Sequence, residues 1–164
     1  MPLKESLLAE YKNEAANTRK MLERVPTEKF AWKPHEKSMT IGRLASHIAE
    51  VPLWVKRIML HDEFDFATAS MKRETYADNE QLLQVFEEQL AEALSILQDA
   101  SESDFVVMFT LRRGEHVFFT LPRKVVLRNF AFNHIMHHRG QLSVYLRLLD
   151  IPVPGMYGPS ADER

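Results

Sequence analysis

The sequence contains no cysteine among its 164 residues. This absence excludes disulfides, cysteine-ligated zinc or iron–sulfur sites and a cysteine nucleophile within the chain. Any metal ion must therefore be held by His, Asp or Glu side chains. The chain has only five glycines. This number is too small for a β-rich fold with many tight turns or for a Gly-rich nucleotide loop.

The sequence lacks an excess of charge of one sign and a long apolar run. Its 21 Lys and Arg residues nearly balance 23 Asp and Glu residues, and the net charge of -2 gives no overall basic field. Such a field would be needed to attract nucleic acid or an anionic membrane. No run approaches the roughly 20 apolar residues of a membrane span, and charges are scattered through the first twenty residues, unlike a signal peptide. We expect a cytoplasmic protein with no nucleic-acid or membrane partner.

Apolar residues recur at three- and four-residue steps in four segments, which predicts four amphipathic helices. The predicted helices cover residues 3–25, 41–61, 78–100 and 122–149. Pro52 removes one backbone hydrogen bond from the second helix and predicts a kink about one turn after His47. Between residues 104 and 120, two β-prone runs flank Arg112, Arg113 and Gly114, which predicts a hairpin or an extended segment.

This order of segments predicts an all-α fold, a four-helix bundle with a short β-hairpin or extended insert before the last helix. The length suits a single domain over residues 1–164. The connection 26–38 carries Phe30 and Trp32 and should pack against the bundle, whereas segment 62–77 shows no sustained periodicity. From about residue 150 the chain is irregular and Pro-rich, and we expect this tail to lie along the bundle.

Polar side chains interrupt the apolar stripes of the second and fourth helices. The stripe of the second helix consists of Leu44, His47, Val51, Trp54 and Ile58. The stripe of the fourth helix consists of Leu127, Phe130, His134, His138, Gln141, Tyr145 and Leu148. His134 and His138 differ by ~40° around their helix, so both imidazoles can face one point. His47 is the one polar member of its stripe.

The stripe histidines have two interpretations that spacing alone leaves equally open. A lone buried histidine is more often a hydrogen-bonded core residue than a metal ligand. Three rings without partners would cost about 1–3 kcal/mol each, whereas one divalent ion would satisfy all three. His137 is a rival to His138, but it lies ~60° from His134 at the edge of the stripe, so we choose His138.

The remaining histidines have no partner at ligand spacing. These residues, His35, His61 and His116, are expected to be exposed polar side chains.

At these residues the sequence resembles the DinB/YfiT-like family of metal-binding four-helix-bundle proteins. Residues 133–163, which begin NHIMHHRGQ, resemble the family's C-terminal HxxxHRGQ signature with its Pro-rich tail. Residues 40–54 resemble the helix that carries the first histidine of the family. The resemblance implies that His47, His134 and His138 form a triad for one divalent ion per chain, usually zinc or nickel. It also implies a homodimer.

The family includes bacillithiol S-transferases and mycothiol-dependent isomerases, and three protein ligands with one open position form the catalytic pattern of metal sites. We therefore expect a metal-dependent transferase that uses a low-molecular-weight thiol and a small-molecule substrate. The alternatives are a metal-hydroxide hydrolase and a non-catalytic, metal-holding or stress-associated binding module. We find no Asp or Glu at a spacing that faces the triad, which disfavours the hydrolase.

Four neighbours of the triad carry expectations of their own. Gln141 and Tyr145 either border the open position or hydrogen-bond an imidazole, or else they fill the core. Trp54 is a candidate pocket wall, although its stripe position favours ordinary core packing. Arg139 points ~100° away from His138, which favours a salt bridge on the helix surface or at a dimer interface.

Overall fold

The computed structural model describes residues 2–69 and 75–163 and contains a helical bundle. Its helices are α1 (Leu3–Leu22), α2 (Ile41–Glu50), α3 (Leu53–Leu60), α4 (Asn79–Asp99), α5 (Arg123–Leu127) and α6 (Asn133–Leu148). α1 and α2 each pack against both α4 and α6, so these four helices enclose a common interior. The predicted four-helix bundle is confirmed. Within the described residues, no helix combines the length and apolarity needed to cross a membrane.

The predicted second helix is broken at its proline. α2 ends at Glu50, and α3 begins at Leu53 directly after Pro52. Because proline has no N–H to donate to the carbonyl of Ile48, the chain closes a tighter turn there, in which the Val51 N–H donates to that carbonyl at 3.2 Å. The expected kink is therefore a break between two helices, and it leaves His47 in the last turn of α2.

The predicted fourth helix is also interrupted, by a π-helical turn at Arg128–Phe132 between α5 and α6. π turns inside helices are rare and frequently mark functional sites. The stripe expected for this helix was partly wrong, because Leu148 is 59% exposed. α6 instead buries a face that includes Ile135, Leu142 and Leu146. Leu148 lies two residues, or ~200°, beyond Leu146 and therefore faces away from the bundle.

The insert before the last helix forms a β-hairpin. β2 (Met108–Arg113) pairs antiparallel with β3 (His116–Pro122), and Gly114 takes a positive φ of 56° in the turn. A third strand, β1 (Glu63–Asp65), pairs in parallel with β2. The sequence analysis did not predict β1 within segment 62–77, since three residues are too few to show an alternating pattern. Residues 70–74 of that segment lie outside the described residues.

The tail and the first connection both pack against the bundle, as predicted. Phe30 and Trp32 from the connection, together with Ile151, Val153 and Met156 from the tail, contact the core cluster between α2 and α6. Both segments therefore add apolar side chains to the interior of the bundle.

Tyr11 places a hydroxyl group in the apolar core. Its ring stacks on Phe132 with centroids 4.8 Å apart, and its hydroxyl has no hydrogen-bond partner among the described residues. An unsatisfied buried group costs about 1–3 kcal/mol. We expect Tyr11→Phe to leave the free energy of unfolding unchanged or to raise it by ~1 kcal/mol in urea denaturation. As a control, Tyr145→Phe should lower it, because the Tyr145 hydroxyl donates to the Met39 carbonyl. A clear loss of stability in Tyr11→Phe would contradict this account.

Candidate metal centre

Three imidazoles converge where α2 meets α6. The Nε2 atom of His134 lies 2.9 Å from Nε2 of His47 and 2.9 Å from Nε2 of His138. The candidate ligand atoms of the three residues all lie within 4.8 Å of one another. In the described part of the chain, this is the one group of three or more His, Cys, Asp or Glu side chains with such a geometry. The structure thus brings together the three histidines chosen from the sequence.

The helix irregularities lie beside the histidines. His47 belongs to the last turn of α2, just before the proline break. His134 belongs to the first turn of α6, just after the π turn. His138 follows one turn later, so its ring stands beside that of His134, with centroids 4.6 Å apart. Packing of α2 against α6 then completes the group from two distant parts of the sequence.

The donor chemistry of the triad fits a cation. A ring nitrogen carries either one hydrogen or one lone pair, so Nε2 of His134 cannot form a full hydrogen bond with each of its two neighbours. A divalent ion would accept a lone pair from all three nitrogens at once. Borderline ions such as Zn²⁺ and Ni²⁺ accept imidazole ligands of this kind.

The surroundings keep two of these imidazoles in the neutral, ligand-competent form. Burial lowers the pKa of His134 to about 4, and repulsion from His138 and His137 acts in the same direction. Burial also lowers the pKa of His138, against the opposing effect of its hydrogen bond to Gln141. A pKa below the ordinary value means that the ring holds no extra proton at neutral pH. Both rings therefore offer a lone pair there.

Gln141 orients His138. Its Oε1 atom lies 2.7 Å from Nδ1 of His138. Because an amide oxygen only accepts, Nδ1–H is the donor, and the lone pair of that ring is left on Nε2, the atom that faces the other histidines. Of the roles expected for Gln141, the structure shows the hydrogen bond to an imidazole.

Tyr145 and Trp54 serve mainly as packing residues. The Tyr145 hydroxyl donates to the Met39 carbonyl at 3.3 Å, and its ring packs edge-on against Trp32. Trp54 is 6% exposed and contacts Phe64 and Phe130, with ring centroids 5.1 and 5.2 Å away. Trp54 thus belongs to the buried core, which was the stronger of the two expectations for it.

The expectation for Arg139 was right about a salt bridge and wrong about a place on the helix surface. Its side chain is buried, at 3% exposure, and its Nη2 donates to Glu14 Oε2 at 2.6 Å. Its Nη1 donates to the Glu14 carbonyl and to Thr18 Oγ1, and the Tyr157 hydroxyl of the tail donates to Glu14 Oε2 at 2.7 Å. The ~100° rotation that takes Arg139 away from His138 takes it into the face of α6 that packs on α1, rather than to the surface.

The other histidines lie where the sequence places them. His35, His61 and His116 are exposed, as expected. His137 is exposed as well, and its ring lies beside that of His138 with centroids 4.9 Å apart. It is thus a neighbour of the triad at its outer edge.

Two charged residues beside His47 escaped the sequence analysis. Arg43 and Glu50 lie four residues before and three residues after His47 on α2, and Arg43 Nη2 is 3.3 Å from Glu50 Oε2. Residues at these spacings share a helix face. The same spacing rule, applied to the second helix, would have identified both. A carboxylate therefore does lie on the face of α2 that carries His47, contrary to the expectation.

The fold and the site together define a helical-bundle protein with a three-histidine centre between two helices. The chain belongs to the DinB family, whose sequence profile matches residues 1–164. Among curated proteins, the uncharacterized protein YrdA of Bacillus subtilis (strain 168) is 47% identical over 34 residues. That alignment covers 21% of this chain and 20% of YrdA, so it spans about a fifth of the curated relative.

Solved structures share the fold at low sequence identity. A DinB-like protein from Bacillus cereus has a TM-score of 0.72 at 22% identity, covering 93% of this chain and 97% of that one. The DinB-like protein YjoA from Bacillus subtilis has a TM-score of 0.70 at 19% identity, covering 97% and 99% of the two chains. A mycothiol-dependent maleylpyruvate isomerase has a TM-score of 0.58 at 13% identity, covering 87% of this chain and 58% of that protein.

Proposed function

We propose that this protein is a metal-dependent transferase that joins a low-molecular-weight thiol to a small electrophile. The observation that carries the proposal is the convergence of the Nε2 atoms of His47, His134 and His138. The fold it shares with a mycothiol-dependent enzyme supports the thiol. We place the activity in the cytoplasm, where small thiols are kept reduced.

His47, His134 and His138 would hold one divalent ion per chain, zinc or nickel. When bound, such an ion lowers the pKa of a thiol that reaches it and so supplies thiolate near neutral pH. Imidazole ligands accept several transition metals, so availability would select among them. The histidines contribute no charge of their own, which leaves the full positive charge of the ion to attract an anionic partner.

The chain's residues set the conditions for the transfer. Gln141 fixes the tautomer of His138, and the three rings are half-buried. Because the protein has no cysteine, the thiol must arrive as a cosubstrate. In the reaction with a chloroarene, the thiol proton passes to solvent, a sulfur–carbon bond forms, and chloride departs with the electron pair of the broken bond.

The test is a panel of thiols with 1-chloro-2,4-dinitrobenzene. Bacillithiol, mycothiol, glutathione and coenzyme A are each assayed with metal-loaded protein, metal-stripped protein and His134→Ala. His137→Ala is the matched control, because it removes a neighbouring imidazole outside the triad. We expect metal-dependent thioether formation with at least one thiol, lost in His134→Ala and retained in His137→Ala. If none of the four thiols gives metal-dependent turnover, the proposal of a transferase is wrong.

A metal-hydroxide hydrolase is the second candidate. Glu50 favours it, since its carboxylate lies on the same face of α2 as His47 and hydrolysis benefits from a general base. Metal-dependent cleavage of activated esters or amides without thiol turnover would support this alternative. If neither reaction occurs, a non-catalytic module that holds a metal between α2 and α6 becomes the better account.

We further propose that the protein forms a homodimer. Val117 and Phe118 of the hairpin are each about half exposed and offer an apolar surface to a second copy, whereas Phe30 and Trp32 pack against their own chain. Light scattering at micromolar concentration is expected to give twice the mass of the 19.1 kDa chain. Phe118→Asp should shift that mass toward the monomer. A wild-type monomer would contradict the dimer.

A further inference from the structure

The tail loop, which we define as residues 151–163, is closed on itself by the carboxylate of Glu163. Its Oε1 atom accepts the N–H of Gly155 at 2.8 Å, and its Oε2 atom accepts the N–H of Ser160 at 3.1 Å. The closure leaves no room for a side chain at Gly155, where a Cβ atom would lie 2.6 Å from the Gly158 carbonyl oxygen. A methyl group added at Gly155 would therefore disturb the closed loop.

A second carboxylate ties the tail loop to α6. The two oxygens of Asp162 lie 3.1 and 2.6 Å from the two terminal nitrogens of Arg147, and Oδ2 also accepts the N–H of Val153 at 2.8 Å. Two parallel bonds between a guanidinium and a carboxylate are the favourable geometry for such a pair. The loop is thus attached to the C-terminal half of the helix that carries two of the three triad histidines.

Tyr157 connects the tail loop to the buried ion pair between α6 and α1. Its hydroxyl accepts a hydrogen bond from Arg139 Nη2 at 2.5 Å and donates one to Glu14 Oε2 at 2.7 Å. The guanidinium carbon of Arg139 lies 5.4 Å from the ring centroid of Tyr157, within the range of a cation–π contact. Tyr157 is 70% exposed, whereas the side chains of Arg139 and Glu14 are almost fully buried. The tyrosine therefore covers the pair on its solvent side.

Arg139 relates this contact to the metal centre. It follows His138 directly in α6, and its Nη1 donates to the Glu14 carbonyl and to Thr18 Oγ1 of α1. These bonds resist rotation of α6 about its axis. A rotation of ~10° would move a ring atom that lies 5–6 Å from the axis by about 1 Å. Metal–ligand distances tolerate only about 0.2 Å, so the rotation of α6 decides whether its histidines can bind a metal together with His47.

We infer that the tail loop is a clamp for the metal centre and that Tyr157 is a positioning residue, which acts through Arg139. When the loop is closed, the Tyr157 hydroxyl holds Arg139 against Glu14, and α6 keeps the rotation in which its two histidines face His47. When the loop is open, that side of the ion pair meets water and α6 gains rotational freedom. The inference rests on the metal-binding part of the proposed function and requires no thiol.

Thermodynamic linkage makes this coupling measurable from either end. If closure of the loop strengthens zinc binding by some factor, zinc binding must stabilise the closed loop by the same factor. Coupling between two distinct sites typically amounts to at least about fivefold. A loop that only covered the bundle would show neither effect.

The first measurement is zinc affinity, determined by isothermal titration calorimetry on the full metal-stripped chain. We expect Gly155→Ala and Tyr157→Leu each to bind zinc at least about fivefold more weakly than the wild type. Gly158→Ala is the matched control, because a Cβ atom at this position of the same loop has no other atom within 4 Å. It should bind zinc like the wild type. Circular dichroism of the metal-stripped variants verifies that the bundle is folded.

The second measurement is hydrogen exchange of the tail loop, followed by mass spectrometry with and without zinc. In the wild type and in Gly158→Ala, peptides over residues 151–163 should exchange at least about fivefold more slowly when zinc is bound. In Gly155→Ala this protection by zinc should be lost. The exchange of the wild type decides the question if a variant does not fold.

The outcomes separate the clamp from the metal centre. If the wild type binds one zinc ion per chain but Gly155→Ala and Tyr157→Leu bind it equally well, the clamp is wrong and the metal centre stands. Zinc binding that leaves exchange of the wild-type loop unchanged would overturn the clamp in the same way. If the wild type binds no zinc, the metal centre is wrong, and the clamp is wrong with it.

Discussion

Replacing Arg139 by methionine is expected to lower the free energy of unfolding by about 3–5 kcal/mol, because it leaves the carboxylate of Glu14 buried without its cation. Both side chains are almost fully buried, at 3% and 7% exposure. The arginine also donates to Thr18 Oγ1 and to the Glu14 carbonyl, so its loss removes two further hydrogen bonds to α1. Urea denaturation with an unchanged m-value would measure the effect.

Two further variants separate the charge from the packing. In the double variant Glu14→Leu/Arg139→Met, most of the lost stability should return, since apolar residues of similar volume often replace a buried pair without cost. Tyr157→Phe removes one hydrogen bond to Glu14 and should cost only about 1 kcal/mol. A loss below 1 kcal/mol for Arg139→Met would mean that the pair is open to solvent.

The Glu14–Arg139 pair also bears on the metal centre. Arg139 follows His138 directly in α6, and its bonds to α1 fix the rotation of that helix. The rotation in turn aims His134 and His138 toward His47. We therefore regard the buried pair as the support that holds His134 and His138 of α6 in register with His47 of α2.

Zinc is expected to stabilise the protein without being required for folding. At a free concentration of 100 times the dissociation constant, a ligand that binds only the native state adds about 2.7 kcal/mol to the free energy of unfolding. Metal-stripped protein should stay helical, because two clusters of buried apolar side chains form the core without the histidines. This behaviour differs from that of zinc fingers, which unfold without metal.

Thermal melting followed by circular dichroism, with and without zinc, measures this stabilisation. His138→Ala should melt at the same temperature in both conditions, whereas His137→Ala should respond like the wild type. A metal-stripped protein without helical signal would contradict the account.

The local features of the fold were predictable from the sequence. Helix positions follow from apolar periodicity, the break follows from the missing N–H of Pro52, and the hairpin follows from two β-prone runs around Gly114. Each of these signals lies within a short window of the chain. β1 was missed because its structure depends on pairing with β2, more than forty residues away.

The errors on the last helix concern which face is buried. The ~100° rotation from His138 placed Arg139 on the helix surface or at a dimer interface, and the spacing placed Leu148 in the buried stripe. The structure exposes Leu148. It buries Arg139, because Glu14 in α1 supplies the buried charge that pairs with it. That partner lies 125 residues away and leaves no local trace in the sequence around Arg139.

The three histidines of the candidate site could be predicted from the sequence. The residues around them could be predicted only in part. The four-residue spacing of His134 and His138 puts both side chains on one face of the last helix. The position of His47 in the apolar stripe of the second helix puts it on the face that packs against the other helices. Gln141 had three interpretations that only the 2.7 Å contact with His138 separates. Arg43 and Glu50 share a face with His47, but their pairing depends on rotamers that spacing does not determine.

The most direct test of the histidine triad is the stoichiometry of zinc binding in single-histidine variants, measured by isothermal titration calorimetry and elemental analysis. The account predicts about one ion per chain for wild-type protein and for His137→Ala. It predicts loss of stoichiometric binding in His47→Ala, His134→Ala and His138→Ala, each verified as folded by circular dichroism. Full binding by His138→Ala together with loss of binding by His137→Ala would contradict the ligand set on which the proposed function depends.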